Sequence, residues 1–163
     1  MKKLSISTVL TILFLFCTSA IAFTPHSKDI NKKIVFLGEV EDGTIYVDTS
    51  TIVVGQPPGI TKYVGILELK IREGNSTYDV VKSFLKQGQY PVLVFSFNHL
   101  NCRTAEFRSI ATIIVGYDTA VSDTEKIILY KEASPDPDEQ PWIKLPSGHI
   151  AERPKEVLCG VEQ

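Results

Sequence analysis

Apolar and polar residues alternate along much of the chain, which is the pattern of β-strands with one buried face. The clearest stretch runs from Leu67 to Arg72, where three aliphatic residues alternate with three charged ones. This alternation predicts a half-buried antiparallel strand whose other face is in water. Shorter runs of apolar, β-branched or aromatic residues predict further strands at 34–37, 44–47, 92–97 and 127–130.

The segment after Cys102 alternates in the same way. Its apolar set is Ala105, Phe107, Ile113 and Val115, and its more polar set is Glu106, Arg108 and Thr112. Ile110 and Ile114 fall in with the polar set. We therefore expect one long strand with the apolar set on a single face and the second face partly covered.

The order of these runs favours an antiparallel sheet. Asp42-Gly43 stands between the first two runs and is a common hairpin turn. No long helix separates successive strands, whereas a parallel sheet needs crossover connections. The fold class predicted is α+β, with a single antiparallel β-sheet of about five to six strands packed against a short C-terminal helix.

Two segments depart from the strand pattern. Residues 79–86 carry apolar side chains at helical spacing and are followed by Gly88, so they predict a short helix, with an edge strand as the alternative. The C-terminal helix would begin at Ser147 and extend towards Cys159, with Ile150, Val157 and Leu158 facing inward. Pro154 would kink or break it.

The N-terminus has the three parts of a secretory signal peptide. Lys2 and Lys3 precede an apolar stretch over 4–16, and Ala20-Ile21-Ala22 provides a small-x-small cleavage site. The apolar stretch is shorter than the roughly 18 residues of a membrane span. A retained anchor and lipidation of Cys17 are the alternatives, although Phe16 occupies a position where lipoprotein signals carry a small residue. We thus expect a signal peptide over 1–22 and a single exported domain over 23–163, with no transmembrane span after cleavage.

Export changes how charge and cysteines are interpreted. Cleavage would leave 15 basic and 19 acidic side chains, and this acidic balance argues against a nucleic-acid partner. Only Cys102 and Cys159 would remain, an even number in an oxidising compartment, which favours one disulfide over two free thiols. Closing a loop of that length stabilises a fold by about 4 kcal/mol in the chain-entropy model.

The sequence contains no common catalytic or cofactor motif. It has no G-x-S-x-G, no H-E-x-x-H and no phosphate- or dinucleotide-binding glycine loop. Of three histidines, His26 and His149 lie near the termini, and His99 lies in a strand where a packed histidine is more common than a catalytic base. The acidic group Asp136, Asp138 and Glu139 is interrupted by prolines, which is unlike a calcium loop. We predict no enzyme activity, no catalytic residues, no cofactor and no metal site.

Several segments in order resemble one known family. They are Asp42-Gly43-Thr44-Ile45-Tyr46-Val47-Asp48 with Ser50-Thr51-Ile52, the strand entering Cys102 and Arg103, Trp142-Ile143-Lys144-Leu145-Pro146, and Val157-Leu158-Cys159. Together they resemble the surface-adhesin protein E family of Gram-negative bacteria, over most of the chain from Ile34 to Cys159. The resemblance implies a small antiparallel sheet, a C-terminal helix and a Cys102–Cys159 pair. The sequence departs from the family in its weak lipoprotein signal and in Pro154.

The resemblance also implies a function. The best-known family member is an outer-membrane lipoprotein that binds host matrix and plasma proteins such as vitronectin, laminin and plasminogen. We expect a non-catalytic exported envelope protein that binds another protein through a sheet edge or an apolar patch. A periplasmic small-ligand binder with a pocket near His99 or Tyr117, or a structural envelope protein, is the alternative. Periplasm versus outer-membrane surface, homodimer formation and the binding residues stay open.

Overall fold

The computed structural model describes residues 33–40, 43–55, 59–70, 76–145, 155 and 157–160. The predicted signal peptide over 1–22, and with it Cys17, lies outside the described residues, as do His26, His149 and Pro154. The elements are, in chain order, β1 (Ile34–Val40), β2 (Gly43–Val54), β3 (Ile60–Leu69), α1 (Ser76–Ser83), β4 (Gln89–Asn101), β5 (Glu106–Asp118), β6 (Ser122–Ala133), a 3₁₀ turn (Pro137–Glu139) and β7 (Ile143–Lys144).

The strands form one antiparallel sheet. From β1 to β6 each strand pairs with the next one along the chain, and β7 pairs with β5 where β6 has ended. Short turns make this order possible. In the turn between β4 and β5, the Asn101 side chain accepts hydrogen bonds from the amides of Arg103 (3.0 Å) and Thr104 (3.3 Å), an Asx turn that reverses the chain locally.

The predicted antiparallel sheet is confirmed, but the predicted number of five to six strands is too low. The described part of the chain has seven strands because residues 143–144 form β7 against Phe107 and Glu106 of β5. A two-residue strand is too short to show an alternating pattern. Its formation depends on pairing with a distant segment, which local sequence does not encode.

The prediction that the sheet packs against a C-terminal helix needs correction. The helix that the structure defines fully is α1, which lies between β3 and β4 in the middle of the chain. Tyr78 and Val81, one helical turn apart, are buried in the core, and Gly88 follows with a φ of +86°. Of the expected C-terminal helix, Lys155 and residues 157–159 have helical backbone, whereas Ser147 and Ile150 lie outside the described residues.

The hydrophobic core lies on one face of the sheet. Ile45, Leu67, Val94 and Ile114 are direct cross-strand neighbours in β2 to β5, and all are buried. The core cluster also contains Tyr78 and Val81 of α1 and Leu158 near the C-terminus. We call this side the core face. Burial of each large aliphatic side chain here contributes about 1.5–3 kcal/mol.

A β-bulge in β5 changes which residues share a face. The β4–β5 register shifts between Phe97 and Asn98, because Phe97 pairs with Ala111 while Asn98 pairs with Ser109. Ile110 is therefore the extra residue, and a bulge of this kind reverses the alternation beyond it. The prediction that Phe107 shares a face with Ile113 and Val115 is wrong for this reason.

The Cys102–Cys159 disulfide is present, as predicted, with 5.7 Å between the two Cα atoms. Cys102 begins the β4–β5 turn, so the bond ties the C-terminal segment to the end of two central strands. Leu158, next to Cys159, is 1% exposed and belongs to the core cluster. The disulfide thus holds Leu158, a core residue near the end of the chain, in place.

Candidate functional site

The side of the sheet away from α1 and Leu158 carries a second apolar surface. Phe36, Tyr46, Ile66, Phe95 and Ile113 are successive cross-strand neighbours from β1 to β5 and share one face. None of them belongs to the core cluster, and each is half-buried. We call this side the distal face, and its flanking rows are formed by Val64, Leu93, Phe97, Val115 and Ile128.

The distal face is aromatic at one end and exposed at the other. Phe36 and Tyr46 pack edge to face with ring centres 6.0 Å apart. The Tyr46 hydroxyl donates to Glu68 at 3.4 Å, and burial together with that carboxylate raises the pKa of Tyr46. On β6, Ile128 is 61% exposed. A contiguous row of partly exposed apolar side chains is typical of protein-interaction sites.

The two ends of the sheet are β1 and β6. Exposed charged residues flank the apolar run of β6, with Glu125 and Lys126 before it and Lys131 after it. Charges at an edge strand oppose uncontrolled pairing with other chains. The protein therefore offers both surfaces expected of a protein-binding sheet, an edge strand and an apolar face, but the edge is partly protected by charge.

A cluster of charged side chains lies at one end of the distal face. Lys62 of β3, His99 of β4 and Arg108 of β5 are direct cross-strand neighbours, so two cationic side chains lie on either side of His99. Arg108 Nε donates to His99 Nδ1 at 3.3 Å, and Arg108 Nη2 forms a 2.6 Å ion pair with Asp138. The guanidinium carbon of Arg108 also lies 4.6 Å from the ring centre of Trp142, a cation–π arrangement.

His99 is a packed histidine, as the sequence favoured. It is 7% exposed, and burial lowers its pKa, with Arg108 and then Lys62 lowering it further. Asp138 acts in the opposite direction but does not cancel these effects. His99 is therefore neutral at neutral pH and uses Nδ1 as a hydrogen-bond acceptor for Arg108.

The structure does not bring the two residues suggested for a ligand pocket together. His99 pairs with Arg108 near one end of β4, whereas Tyr117 pairs with Tyr90 near the other. The two positions are nine residues apart along β4, a distance of about 30 Å in a strand. A pocket near His99 and a pocket near Tyr117 would therefore be two separate sites.

The acidic loop residues have structural partners. Asp136 caps the 3₁₀ turn by accepting a hydrogen bond from the Asp138 amide at 2.8 Å, and Asp138 pairs with Arg108. Among the described residues, no group of three or more histidine, cysteine, aspartate or glutamate side chains is arranged to hold a metal ion. Asp48 and Asp118, which follow strand-like runs, form side-chain turns with Ser50 and Ala120, respectively.

Sequence reasoning missed the role of Arg108 and Trp142. Alternation placed Arg108 in the more polar set with Thr112, but the bulge puts these two residues on opposite faces, and Arg108 is buried on the distal face beside Trp142 and Asp138. The sequence contains a single tryptophan next to a proline-rich acidic loop. A buried arginine requires a carboxylate partner, yet the pairing of Arg108 with a residue thirty positions away has no local signature.

Comparison with solved structures finds similarity to structures of Haemophilus influenzae protein E. No family model matches the sequence, and no curated protein matches it. Crystal form II of Haemophilus influenzae protein E is 15% identical and covers 86% of this chain and 97% of its own, with a TM-score of 0.49. A second structure of Haemophilus influenzae protein E is 15% identical, covers 85% of this chain and 91% of its own, and has a TM-score of 0.46.

A structure of protein E from non-typeable Haemophilus influenzae is likewise 15% identical, covers 86% of this chain and 83% of its own, and has a TM-score of 0.45. All three structures are similar to this chain at 15% sequence identity. In the part of the chain that the structure describes, no helix is long and apolar enough to cross a membrane.

Proposed function

We propose that the protein is an exported, non-catalytic envelope protein of a Gram-negative bacterium that binds another protein through the distal face of its sheet. The observation that carries the proposal is this second apolar face. Phe36, Ile66, Phe95 and Ile113 lie on it in one row and none belongs to the core. A sheet that buried only its core face would carry polar residues on the other.

The chemistry of the face defines the partner class. Its middle is aliphatic and aromatic, while Lys62 and Lys131 stand exposed at its ends. A surface with an apolar centre and charged margins fits a folded protein with a complementary apolar patch. Host matrix or plasma proteins are the class of partner that the sequence resemblance to the surface-adhesin family suggests.

Export is supported by the sequence pattern of residues 1–22 and by the disulfide between Cys102 and Cys159. Disulfides persist in oxidising compartments and are rare in the cytosol. The periplasm and the outer-membrane surface both satisfy this requirement, and adhesion to a host protein requires the surface.

The location is tested by adding protease to intact cells that express the protein with a tag after Gln163, followed by fractionation. Loss of the tagged protein from intact cells is the expected result. A protected, soluble periplasmic pool would contradict host adhesion and direct the search to partners within the envelope.

The binding surface is tested with purified protein on immobilised vitronectin, laminin and plasminogen. Ile66→Thr combined with Ile113→Thr keeps β-branched residues in both strands but removes apolar surface from the distal face, and we expect binding to fall at least tenfold. Val121→Thr is the matched control, because Val121 is 70% exposed but lies in the β5–β6 turn. Equal loss of binding in both variants, or none in either, would exclude the distal face as the contact surface.

A further inference from the structure

Residues 136–145 are attached to β5 by both side-chain and backbone contacts. Arg108 holds Asp138 by an ion pair and Trp142 by a cation–π contact. Beyond them, the pairing of β7 with β5 and a 2.8 Å hydrogen bond from the Leu145 amide to the Ala105 carbonyl complete the attachment. Arg108 therefore supplies the side-chain contacts to Asp138 and Trp142 in this attachment.

The orientation of Arg108 depends on a neutral His99. Nδ1 of His99 accepts the hydrogen bond from Arg108 Nε, and only an unprotonated ring nitrogen can accept. When His99 takes up a proton, Nδ1 becomes a donor that faces another donor. The hydrogen bond is then replaced by repulsion between two cations.

The charges around His99 make this repulsion costly. The neighbouring strand β3 contributes Lys62, β5 contributes Arg108, and the 3₁₀ turn contributes Asp138. A protonated His99 would stand between two cations and share one carboxylate with them. That carboxylate is already bonded to Arg108, and its side chain is 87% exposed and screened by water.

We propose that His99 and Arg108 form an acid-sensitive switch that holds residues 136–145 on the sheet at neutral pH and loosens them when His99 is protonated. The affected segment includes the 3₁₀ turn, Trp142 and β7. No charged member of this cluster belongs to the hydrophobic core, and of the segment only the partly buried Ile143 and Leu145 pack against it. The change is therefore local to the segment.

The direction of the pH dependence follows from the shift of the His99 pKa. The folded protein has a His99 pKa below 6.5, because burial and the two neighbouring cations oppose protonation. The attachment is at full strength above about pH 6.5, the ordinary histidine value, and is lost as the pH falls through the lower folded-state value. Residues 136–145 are therefore attached to the sheet at neutral pH and loosened in acid.

Trp142 provides the readout, since it is the single tryptophan of the chain and contacts Arg108 directly. Tryptophan emission and its quenching by acrylamide are measured on the purified, disulfide-bonded protein between pH 7.5 and 4.5. We expect the emission to move to longer wavelength and quenching to increase in acid, with a midpoint below pH 6.5. Far-ultraviolet circular dichroism should stay unchanged over the same transition.

The variant His99→Gln keeps an acceptor that does not titrate, so its emission should match the wild type at pH 7.5 and stay constant in acid. His26→Gln and His149→Gln are the matched controls, because these are the other two histidines of the chain, and both should respond like the wild type. An unchanged response in His99→Gln, no response in the wild type, or simultaneous loss of circular dichroism would each overturn the switch.

Discussion

The guanidinium of Arg108 lies over the ring of Trp142, 4.6 Å from its centre, while its Nη2 pairs with Asp138. The two members of this ion pair are in very different surroundings. The Arg108 side chain is 8% exposed, whereas the Asp138 side chain is 87% exposed. Removing Asp138 therefore leaves a buried cation without its partner, whereas removing Arg108 leaves a hydrated carboxylate.

We predict an asymmetric response to mutation of this pair. Asp138→Ala should lower the free energy of unfolding by about 1–3 kcal/mol, because Arg108 stays buried without its carboxylate. Arg108→Met should cost less, since methionine fills similar space, contacts Trp142 favourably and leaves Asp138 in water. Urea unfolding at pH 7.5, above the titration range of His99, measures both.

Glu139→Ala is the control for this comparison, because Glu139 is exposed in the same 3₁₀ turn and is not bonded to Arg108. Its urea midpoint should equal that of the wild type. A larger loss of stability in Arg108→Met than in Asp138→Ala would contradict this prediction. It would show that the packing of the Arg108 side chain stabilises the fold by more than its burial costs.

The two faces of the sheet should differ sharply in stability cost. Ile113 and Ile114 are adjacent in β5, but Ile114 is fully buried in the core face and Ile113 is half-buried on the distal face. Ile114→Ala should destabilise the protein by about 2–5 kcal/mol. Ile113→Ala should cost about 1–2 kcal/mol, in proportion to the smaller apolar area that it buries.

Both substitutions remove the same atoms from the same strand, so differences in strand propensity cancel between them. Thermal unfolding by differential scanning calorimetry compares the two variants directly. Equal losses would mean that the distal face is as tightly packed as the core face, and the proposal of a binding surface there would fail.

The position of Ile113 shows where prediction from sequence stops. Alternation identified the strands and placed Leu67 and Leu69 in the core, because period-two patterning and burial coincide wherever a strand is regular. The same rule assigned Phe107 and Ile113 to one face and was wrong, since the bulge at Ile110 lies between them. A bulge depends on the register of the partner strand. The sequence hint of this bulge was that Ile110, an apolar residue, fell in the more polar set.

The candidate site was less predictable than the fold. The disulfide followed from counting cysteines in a chain that the sequence predicts to be exported, and the packed state of His99 followed from its place in a strand. The cluster of Arg108, Asp138 and Trp142 depends instead on how the proline-rich loop folds back onto β5. Such contacts between distant segments are set by the finished tertiary structure.

The disulfide should contribute much of the stability of the C-terminal attachment. Replacing Cys102 and Cys159 together by serine should lower the free energy of unfolding by about 2–4 kcal/mol, because the unfolded chain regains the freedom of a long closed loop. Chemical denaturation of the double variant measures this loss. In the wild type, alkylation without prior reduction should leave both cysteines unmodified by mass, and modification of both would show that the bond does not form in the protein.

The close pairing of β4 and β5 should make Gly116 intolerant of any side chain. Gly116 pairs with Pro91, next to the irregularity between Pro91 and Leu93, the kind of position to which proline within a sheet is confined. A Cβ atom on Gly116 would lie 2.0 Å from the Tyr90 carbonyl oxygen and 2.9 Å from the Leu129 side chain. The Tyr90 carbonyl oxygen is a backbone atom, so this clash can be relieved only if β4 moves.

Gly116→Ala should therefore destabilise the protein by about 1–3 kcal/mol, the usual cost of overpacking, and shift the urea midpoint accordingly. Gly55→Ala is the matched control, because the nearest atom to its new Cβ, the Ile60 carbonyl oxygen, lies 3.2 Å away and needs only a small adjustment. The decisive result is a lower urea midpoint for Gly116→Ala than for Gly55→Ala. Equal midpoints would show that β4 and β5 are not as closely paired at Pro91 as the structure has them.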